Sequence, residues 1–579
     1  MSQTATTPRP VLPLSFVIAG CAVGTAIYLA RAWSLRFLQD DAFIFFRYAQ
    51  NLVDGHGPVW NAGERVEGYT SFLWMLVVSG LLLVHAHVET AVHAVTLGLG
   101  LGCLGLVFAL TRRLTGARAP AVLALILLAT DHSFAVWSTS GMETRLYGFL
   151  ALSTSWLALR FTDLKTRRSA LFLGACAVAT SLTRPEGLLV CAAAFGYLGY
   201  SCRRGAAPGR LALVALGVWG LGVAAHLAWR HGYYGDWVPN TFHVKAGFDP
   251  RMGLVYLFDY VRSFPHHALI VALAAASLWP ARDRPFRLYL LGLSAVYVAY
   301  LATIGGDFME FRFLDVLLPS TYVLAADGLS TLASRTEKVW LRRGAAALAI
   351  ALAGGNVARD LGFERRAHTA VMTRGEMVTT PMPWIVVGKW LRRFAQPGEI
   401  LAVEAAGAMP YYSGMQAVDM LGLNDREVAR QPAVATRHIG HRKLATQEYL
   451  ERRQVTFVFV AALSAATSPR QNRTGFWVRI DNGDPALFGG HALCVLLRST
   501  LDREVVMRSL RERGAVVFPD RCVESGALAS RPSAPDFEGA AADTGPAPRA
   551  LPPLTARAAN TYPPPRRRGE IDERAQNEL

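Results

Sequence analysis

Two adjacent carboxylates, Asp40 and Asp41, follow the first apolar run of the chain. A carboxylate pair can accept a proton as a general base, or hold a hard divalent cation such as Mg²⁺ or Mn²⁺, although nothing in this spacing demands a metal. An acidic helix N-terminus is the alternative, and it explains one aspartate but not the second. Because acids beside an apolar segment are costly to keep, we expect this pair to be functional.

Further polar residues follow the acid pair. Arg47 lies two helical turns beyond Asp40 and would share its helix face. A polar turn over 60–70 contains Glu67 and Tyr69, which we expect to contact a substrate. The alternative for this turn is an ordinary solvated loop.

Two more acids stand directly before apolar runs. Glu143 is in the segment 140–144, and Glu186 follows Arg184 in the segment 183–187. Acids at helix N-termini are favourable for dipole reasons alone. We predict a structural role for Glu186 and a substrate contact for Glu143, with a purely structural role left open there too.

Residues 233–245 combine aromatic side chains with Asn240, His243 and Lys245. Aromatic residues alone would indicate the interfacial belt of a membrane protein. The added cations favour a phosphate held at the membrane surface, where Lys serves as a point charge. We therefore expect His243 and Lys245 to bind phosphate and Asn240 to contact substrate.

Charges alternate over 305–313, after a pair of glycines that lets backbone or ligand approach closely. Arg312 could bind an anionic leaving group bidentately, and Asp307 could contact substrate. An internal ion pair between Asp307 and Arg312 is the alternative.

The composition places these residues in a membrane protein. The 579 residues are 52% hydrophobic and 18% charged, with mean hydropathy +0.26, and eleven apolar runs reach or approach the length that crosses a bilayer. These runs are 11–30, 90–111, 118–130, 144–159, 168–182, 185–201, 210–229, 266–280, 286–304, 313–327 and 343–354. The first is expected to be a retained signal-anchor. The net charge of +16 lies mostly in short loops and the tail, so it indicates topology and not a nucleic-acid partner.

Basic loops that mark the cytoplasmic side alternate with poorly basic loops. The alternation places the N-terminus, 1–10, in the cytoplasm and the loops 32–89 and 231–265 outside, provided that the stretch 69–84 does not cross. That stretch is short and lacks a basic flank, so it is predicted to be an interfacial or re-entrant helix. The membrane domain is then 11–355, with about eleven spans.

Residues 356–525 are predicted to form an extracytoplasmic α/β domain. Stretches 399–404, 455–460 and 494–497 are rich in β-formers, whereas 384–394 and 446–453 have helical periodicity. The tail, 526–579, is rich in Ala, Pro, Gly and Arg and is predicted to be disordered. Cys494 and Cys522 could pair if this region is exported.

Taken together, the motifs resemble those of the C-type (GT-C) membrane glycosyltransferases that use polyprenyl-phosphate sugars, and most closely the mycobacterial terminal β-(1→2)-arabinofuranosyltransferase group. The matching segments are 40–49, 55–57, 63–70, 140–144, 183–187, 234–241, 305–309, 411–414, 419–425 and 440–441. The step Glu310-Phe311-Arg312 departs from the expected pattern.

The resemblance implies an α-helical polytopic membrane bundle with interfacial helices and the C-terminal extracytoplasmic α/β domain, in the bacterial inner (plasma) membrane. It implies inverting transfer of a sugar, arabinofuranose as the first guess, from a polyprenyl-phosphate donor to a cell-envelope glycan or lipid acceptor at the outer face. Asp41 or Asp40 would be the base, and the lipid phosphate would be bound by cations. The cation candidates are Arg47, His243, Lys245 and Arg312.

Two other classes remain open on the sequence. A lipid or glycan transporter or flippase would also be polytopic, but charges near mid-span or two related halves would be expected of it. A non-catalytic assembly scaffold would not need the acid pair.

Overall fold

The computed structural model describes residues 12–245, 247–279, 283–336, 338–363, 371–379, 381–433, 442–459, 475–480 and 493–519. The predicted tail and the predicted Cys494–Cys522 pair lie outside the described residues and side chains.

Every predicted apolar run forms a helix. An apolar chain without water nearby must satisfy its backbone groups internally, and a helix does this within one segment. The helices of this part are α1 (Leu14–Ser34), α2 (Asp40–Val53), α3 (Phe72–Leu83), α4 (Val88–Thr115), α5 (Arg118–Ala129), α6 (His132–Val136), α7 (Thr144–Leu164), α8 (Arg167–Thr183), α9 (Gly187–Arg203), α10 (Gly209–Tyr234), α11 (Asn240–Lys245), α12 (Pro250–Ser263), α13 (His266–Ala276), α14 (Arg284–Ile304), a 3-10 turn (Arg312–Leu317), α15 (Leu318–Ser334) and α16 (Val339–Phe363).

Five helical segments of the described chain are long and apolar enough to cross a membrane: α1, α4, α10, α14, and the 3-10 turn with α15. In α10 only Ala215 and Tyr234 are buried, so its apolar side chains face outward, as expected in hydrocarbon. Helix α3 has twelve residues and is only ~18 Å long, against the ~30 Å of a bilayer core. This length agrees with a segment that does not cross; its sidedness remains a prediction.

A mixed sheet with helices forms the C-terminal part, so the predicted bundle with an added α/β domain is confirmed. Its elements are α17 (Arg374–Thr379), α18 (Pro381–Phe394), β1 (Ile400–Val403), α19 (Ala408–Ser413), β2 (Gln416–Asp419), α20 (Arg426–Arg430), α21 (Gln447–Arg452), β3 (Phe457–Phe459), β4 (Gly475–Ile480), β5 (Leu493–Arg498), α22 (Arg503–Glu512) and β6 (Val516–Phe518). The strand order is β2-β1-β3-β5-β4-β6, in which β1 pairs in parallel with β2 and β3, and the other pairs are antiparallel.

Helix α2 connects the two parts. Nearly all its side chains from Ala42 to Ala49 are buried, and Phe43 packs its ring 5.6 Å from Tyr411 and 5.4 Å from Tyr412 of α19. One apolar core runs from α2 and α3 into the sheet. The N-terminal end of α2 is therefore held between the helical bundle and the C-terminal domain.

Candidate functional site

The two aspartates of α2 point to different surroundings. Successive residues of an α-helix are rotated by ~100°, so neighbours in sequence cannot share a face. Helix α2 begins at Asp40, after Gln39 in an extended conformation. From this start, Asp40 faces the C-terminal domain and Asp41 faces the loops between the membrane helices.

Asp40 holds the two parts together. Its carboxylate accepts hydrogen bonds from the backbone N–H of Gly407, at 3.1 Å, and of Ala408, at 2.8 Å, where α19 begins. Burial raises the pKa of Asp40 to about 7, and the two N–H donors oppose that rise. A side chain at Gly407 would collide with the backbone oxygen of Asp40, which shows how closely the two segments approach.

Asp41 is half-buried, and its carboxylate makes no hydrogen bond or ion pair with any residue that the structure describes. Burial raises its pKa above the ordinary value. The charges of Lys245 and Arg312 lower that pKa, and those of Asp307 and Glu143 raise it. The structure thus brings four other predicted site residues together around the unbonded carboxylate of Asp41.

The loop after α14 positions Asp307 and Arg312. Gly305 and Gly306 have φ of 93° and 77°, which ends the helix and turns the chain back toward α2. Arg312 Nε donates to Asp307 Oδ2 at 2.8 Å, so the internal ion pair is present. Nη1 of Arg312 lies 3.4 Å from the sulfur of Met142, so Nε is the nitrogen of this guanidinium that bonds a carboxylate in the described structure.

Glu143 sits at the start of α7, where Arg184 Nη1 donates to its Oε1 at 2.6 Å. Its other oxygen, Oε2, is buried without a hydrogen-bond partner in the described structure. A buried carboxylate oxygen left unpaired is unfavourable, so a hydroxyl donor brought by a ligand would be stabilising here.

Arg184 is a cation that the sequence interpretation passed over. It lies between Glu143 and Glu186, and its guanidinium stacks 4.5 Å from the ring centre of Phe313. Arg312 lies 5.1 Å from the same ring. The two arginines line a small cavity that also contains the side chains of Thr144, Tyr147 and Tyr297. In the sequence, Arg184 is followed by Pro185 and Glu186, a combination that indicates the start of a helix. Nothing in it indicates that Arg184 lies beside a second arginine.

Arg47 is a correction to the predicted phosphate ligands. Its guanidinium donates to the backbone oxygens of Trp60, Pro410 and Met415 and to the side chain of Asn61. All three guanidinium nitrogens are therefore bonded: Nε and Nη2 to the loop after α2, and Nη1 and Nη2 to the C-terminal domain. Arg47 is 8% exposed and cannot meet a phosphate without losing these bonds.

Three predicted substrate contacts are also structural. Glu67 forms a two-bond ion pair with Arg230, at 2.6 and 3.1 Å, and burial raises its pKa. The hydroxyl of Tyr69 lies 3.0 Å from that of Tyr234 and is buried. Asn240 donates through its amide to the backbone oxygens of Gly422, Leu423 and Asp425.

His243 lies away from the centre of the cluster. Its Nε2 is 3.4 Å from Asp236, which also pairs with Arg430. Lys245, at the end of the same short helix, is exposed and has no hydrogen-bond partner among the described residues. Of the charges that lower the pKa of Asp41, that of Lys245 has the largest effect.

A metal at the acid pair does not fit the residues present. Both Asp40 oxygens accept backbone N–H groups, and the described residues contain no group of three or more His, Cys, Asp or Glu side chains suited to an ion. Mg²⁺ prefers near-octahedral oxygen coordination, which Asp41 alone does not supply.

Comparison with known proteins bears on the whole arrangement. The chain is 31% identical over 344 residues to the terminal β-(1→2)-arabinofuranosyltransferase of Mycobacterium tuberculosis, covering 52% of this chain and 53% of that protein. It is 27% identical over 365 residues to the enzyme of the same name from Corynebacterium glutamicum, covering 56% and 52%. The predicted resemblance to this group is confirmed. The chain spans about half the length of these curated relatives.

Two further matches are less specific. A family model described as a domain of unknown function, DUF8728, matches residues 371–495. The crystal structure of ArnT from Cupriavidus metallidurans bound to undecaprenyl phosphate matches with a TM-score of 0.48 and 13% identity, over 70% of this chain and 86% of that one.

Proposed function

We propose that this protein is an inverting glycosyltransferase of the outer face of the bacterial inner membrane. It moves a sugar, arabinofuranose in the first instance, from a polyprenyl phosphate to a hydroxyl of a cell-envelope glycan. The observation that carries the proposal is Asp41, an unbonded, half-buried carboxylate faced by two cations at the mouth of a helical bundle.

Asp41 is the proposed general base. A base must come within hydrogen-bond reach of the acceptor hydroxyl, and Asp41 has both oxygens available for this. Burial raises the pKa of Asp41 toward the pKa of the acceptor hydroxyl. A smaller difference between the two pKa values favours proton transfer. As the acceptor oxygen bonds to the anomeric carbon, its proton passes to Asp41.

The leaving group is the proposed partner of the cations. The bond between the anomeric carbon and the phosphate oxygen breaks, and its electron pair stays on the lipid phosphate. Lys245 and Arg312 supply the positive charge that stabilises this phosphate. Arg312 pairs with Asp307 through Nε, and its Nη2 makes no hydrogen bond in the described structure, so this nitrogen can donate to the phosphate.

Glu143 and Asp307 are the proposed sugar contacts. The unpaired Oε2 of Glu143 can accept a hydrogen bond from a hydroxyl of the donor sugar. Asp307 is held by Arg312, so a sugar hydroxyl bonded to it would lie beside the phosphate. The arabinofuranose assignment is supported by the names of the two relatives, and the outer-face location is supported by the distribution of basic loops.

The test is transfer by the purified full chain in proteoliposomes. The donors are polyprenyl phosphates carrying labelled pentoses or hexoses, and the acceptors are short glycans of the envelope type. We expect transfer from one donor class, with the opposite anomeric configuration in the product. A labelled lipid that crosses the bilayer without any transfer would instead identify a flippase and overturn the proposal.

Sidedness is tested separately. Cysteine substitutions at Lys245 and at Gln416 should react with a membrane-impermeant maleimide applied from outside, whereas Arg204→Cys should react only after permeabilisation. The unsubstituted chain, which contains seven cysteines, gives the background. Labelling of the first two positions from opposite sides would separate Lys245, a proposed phosphate cation, from the C-terminal domain and contradict the site.

A further inference from the structure

Glu310 is a buried acid that the proposed reaction does not use. It belongs to the step Glu310-Phe311-Arg312, which departs from the pattern expected of the resembled group. Its side chain is only 1% exposed. A buried carboxylate is costly unless its oxygens are bonded, and this one lies two positions before a proposed phosphate cation.

The side chain of Glu310 joins two parts of the molecule. Its Oε1 lies 2.7 Å from Nε2 of His132, in α6. Its Oε2 accepts a hydrogen bond from the backbone N–H of Arg374, where α17 begins. The backbone oxygen of Glu310 accepts a third bond, at 3.0 Å, from the indole N–H of Trp137. The loop after α14 is therefore held against both α6 and the start of the C-terminal domain.

The backbone of the same loop pairs with the C-terminal domain. The N–H of Met372 donates to the oxygen of Phe308 at 2.7 Å, and the N–H of Glu310 donates to the oxygen of Met372 at 3.1 Å. Met309 and Met372 thus form a short parallel bridge. Together with the side-chain bonds, this bridge fixes the residues that directly precede Arg312.

The turn that carries Arg312 has an unfavourable backbone conformation. The N–H of Arg312 donates to the oxygen of Met309 at 3.0 Å and closes a four-residue turn. Phe311, its third residue, has φ of 53°, a region that glycine or asparagine usually occupies. The ring of Phe311 is buried 5.4 Å from that of Tyr256, centre to centre. Such a conformation persists only where surrounding contacts fix it, and Glu310 supplies these contacts on one side of Phe311.

The direction of Arg312 decides whether it can bind phosphate. Its Nε is already paired with Asp307 at 2.8 Å, so the remaining donors must point at the phosphate for a further bond to form. Hydrogen bonds weaken steeply as their angle departs from linearity. A small change in the turn would therefore lower the affinity for the lipid phosphate without removing the charge.

We propose that Glu310 is a positioning residue that directs Arg312 toward the donor phosphate. Its bonds to His132 and to the segment 371–374 make binding of the lipid donor depend on the contact between the loop and the C-terminal domain. This rests on the proposed function, which identifies the ligand of Arg312 as a lipid-linked phosphate.

The test measures binding of a polyprenyl monophosphate without sugar to the purified full chain in nanodiscs, by calorimetry. Glu310→Ala removes both side-chain bonds and should raise Kd about tenfold. In Glu310→Gln the amide oxygen can accept from the N–H of Arg374, and the NH₂ group can donate to Nε2 of His132 in its other tautomer. This variant should bind within twofold of the unsubstituted chain, so it separates position from charge.

A second variant covers the case in which Glu310→Ala fails to fold. His132→Phe removes one of the two side-chain bonds of Glu310 and keeps a ring of similar size. We expect its Kd to rise by about threefold, since the bonds to the segment 371–374 remain.

A double-mutant cycle distinguishes positioning from general destabilisation. If Glu310 acts through Arg312, then Glu310→Ala should change Kd less than twofold in a chain that already contains Arg312→Gln. Asp327→Ala is the matched control, because it breaks a buried ion pair with Arg287. Arg287 lies 18 residues, or ~27 Å along α14, before Gly305. This control should lower Tm and leave Kd unchanged.

The outcomes separate the positioning role from the proposed function. Unchanged Kd in Glu310→Ala and His132→Phe, equal loss in Glu310→Gln and Glu310→Ala, or multiplied effects in the cycle would overturn the role of Glu310. Absence of binding by the unsubstituted chain would overturn it too. If the expected pattern of Kd values is found but no donor yields sugar transfer, the proposed function fails and the positioning of Arg312 by Glu310 stands.

Discussion

The adjacent aspartates should give opposite phenotypes when each is replaced by asparagine. Asp41→Asn removes the proposed base without a change of shape, because Asp41 has no hydrogen bond to lose in the described structure. Asp40→Asn instead alters the bonds that hold α19 against α2. The two substitutions are chemically identical and one position apart, so each is a control for the other.

The magnitudes follow from these contacts. Loss of a general base lowers kcat by roughly 10² to 10⁴-fold. At Asp40, the side-chain oxygen of an asparagine can accept a hydrogen bond from one of the two backbone N–H groups, of Gly407 and Ala408. Its NH₂ group then faces the second N–H, and two donors cannot bond each other. One buried N–H is then unpaired, at a cost of about 1–3 kcal/mol in the free energy of unfolding. Asp40→Asn should therefore lower Tm while keeping most of the transfer rate per folded molecule.

Initial rates at saturating donor and acceptor, and thermal denaturation in the same micelles, measure both effects. Glu512→Gln, on the exposed surface of α22, controls for the loss of one negative charge. An active Asp41→Asn protein, or an inactive Asp40→Asn protein with unchanged Tm, would refute the assignment of roles.

Three further predictions concern other parts of the site. Arg47→Lys should lower the free energy of unfolding by at least about 2 kcal/mol, because one ammonium group cannot replace a guanidinium that bonds four oxygens. Denaturation measures this loss, with exposed Arg210→Lys as the control. Equal stability of the two variants would contradict the prediction. Asp41 acts as the ionised base, and burial raises its pKa. On acidification, kcat/KM should therefore begin to fall at a pH above ~4, the pKa of an ordinary aspartate. A kcat/KM that stays constant down to pH ~4 would argue against this role. Arg312→Gln should raise the KM for the lipid donor about tenfold without a comparable effect on the acceptor, whereas exposed Arg168→Gln should not. Equal donor KM values would remove Arg312 from the phosphate site.

Much of the secondary structure could be predicted from the sequence. Helices in the membrane part follow from apolar runs, because burial in hydrocarbon leaves the backbone few alternatives. In the C-terminal domain, β1, β3 and β5 were predicted from runs of β-forming residues, and α18 and α21 from periodicity. Strands β2, β4 and β6 were not, since short strands depend on the neighbours that complete their hydrogen bonds.

The sequence by itself determined which segments are helical, where the acid pair falls, and which protein group the chain resembles. It did not determine which polar residues would meet each other. Arg47 bonds to residues more than 360 positions away, and Asn240 to a loop 182 or more positions away. Tertiary structure alone decided that Asp40 anchors a domain while Asp41 stays unbonded, because the helix directs neighbouring side chains to different surfaces and only packing decides what each surface contacts.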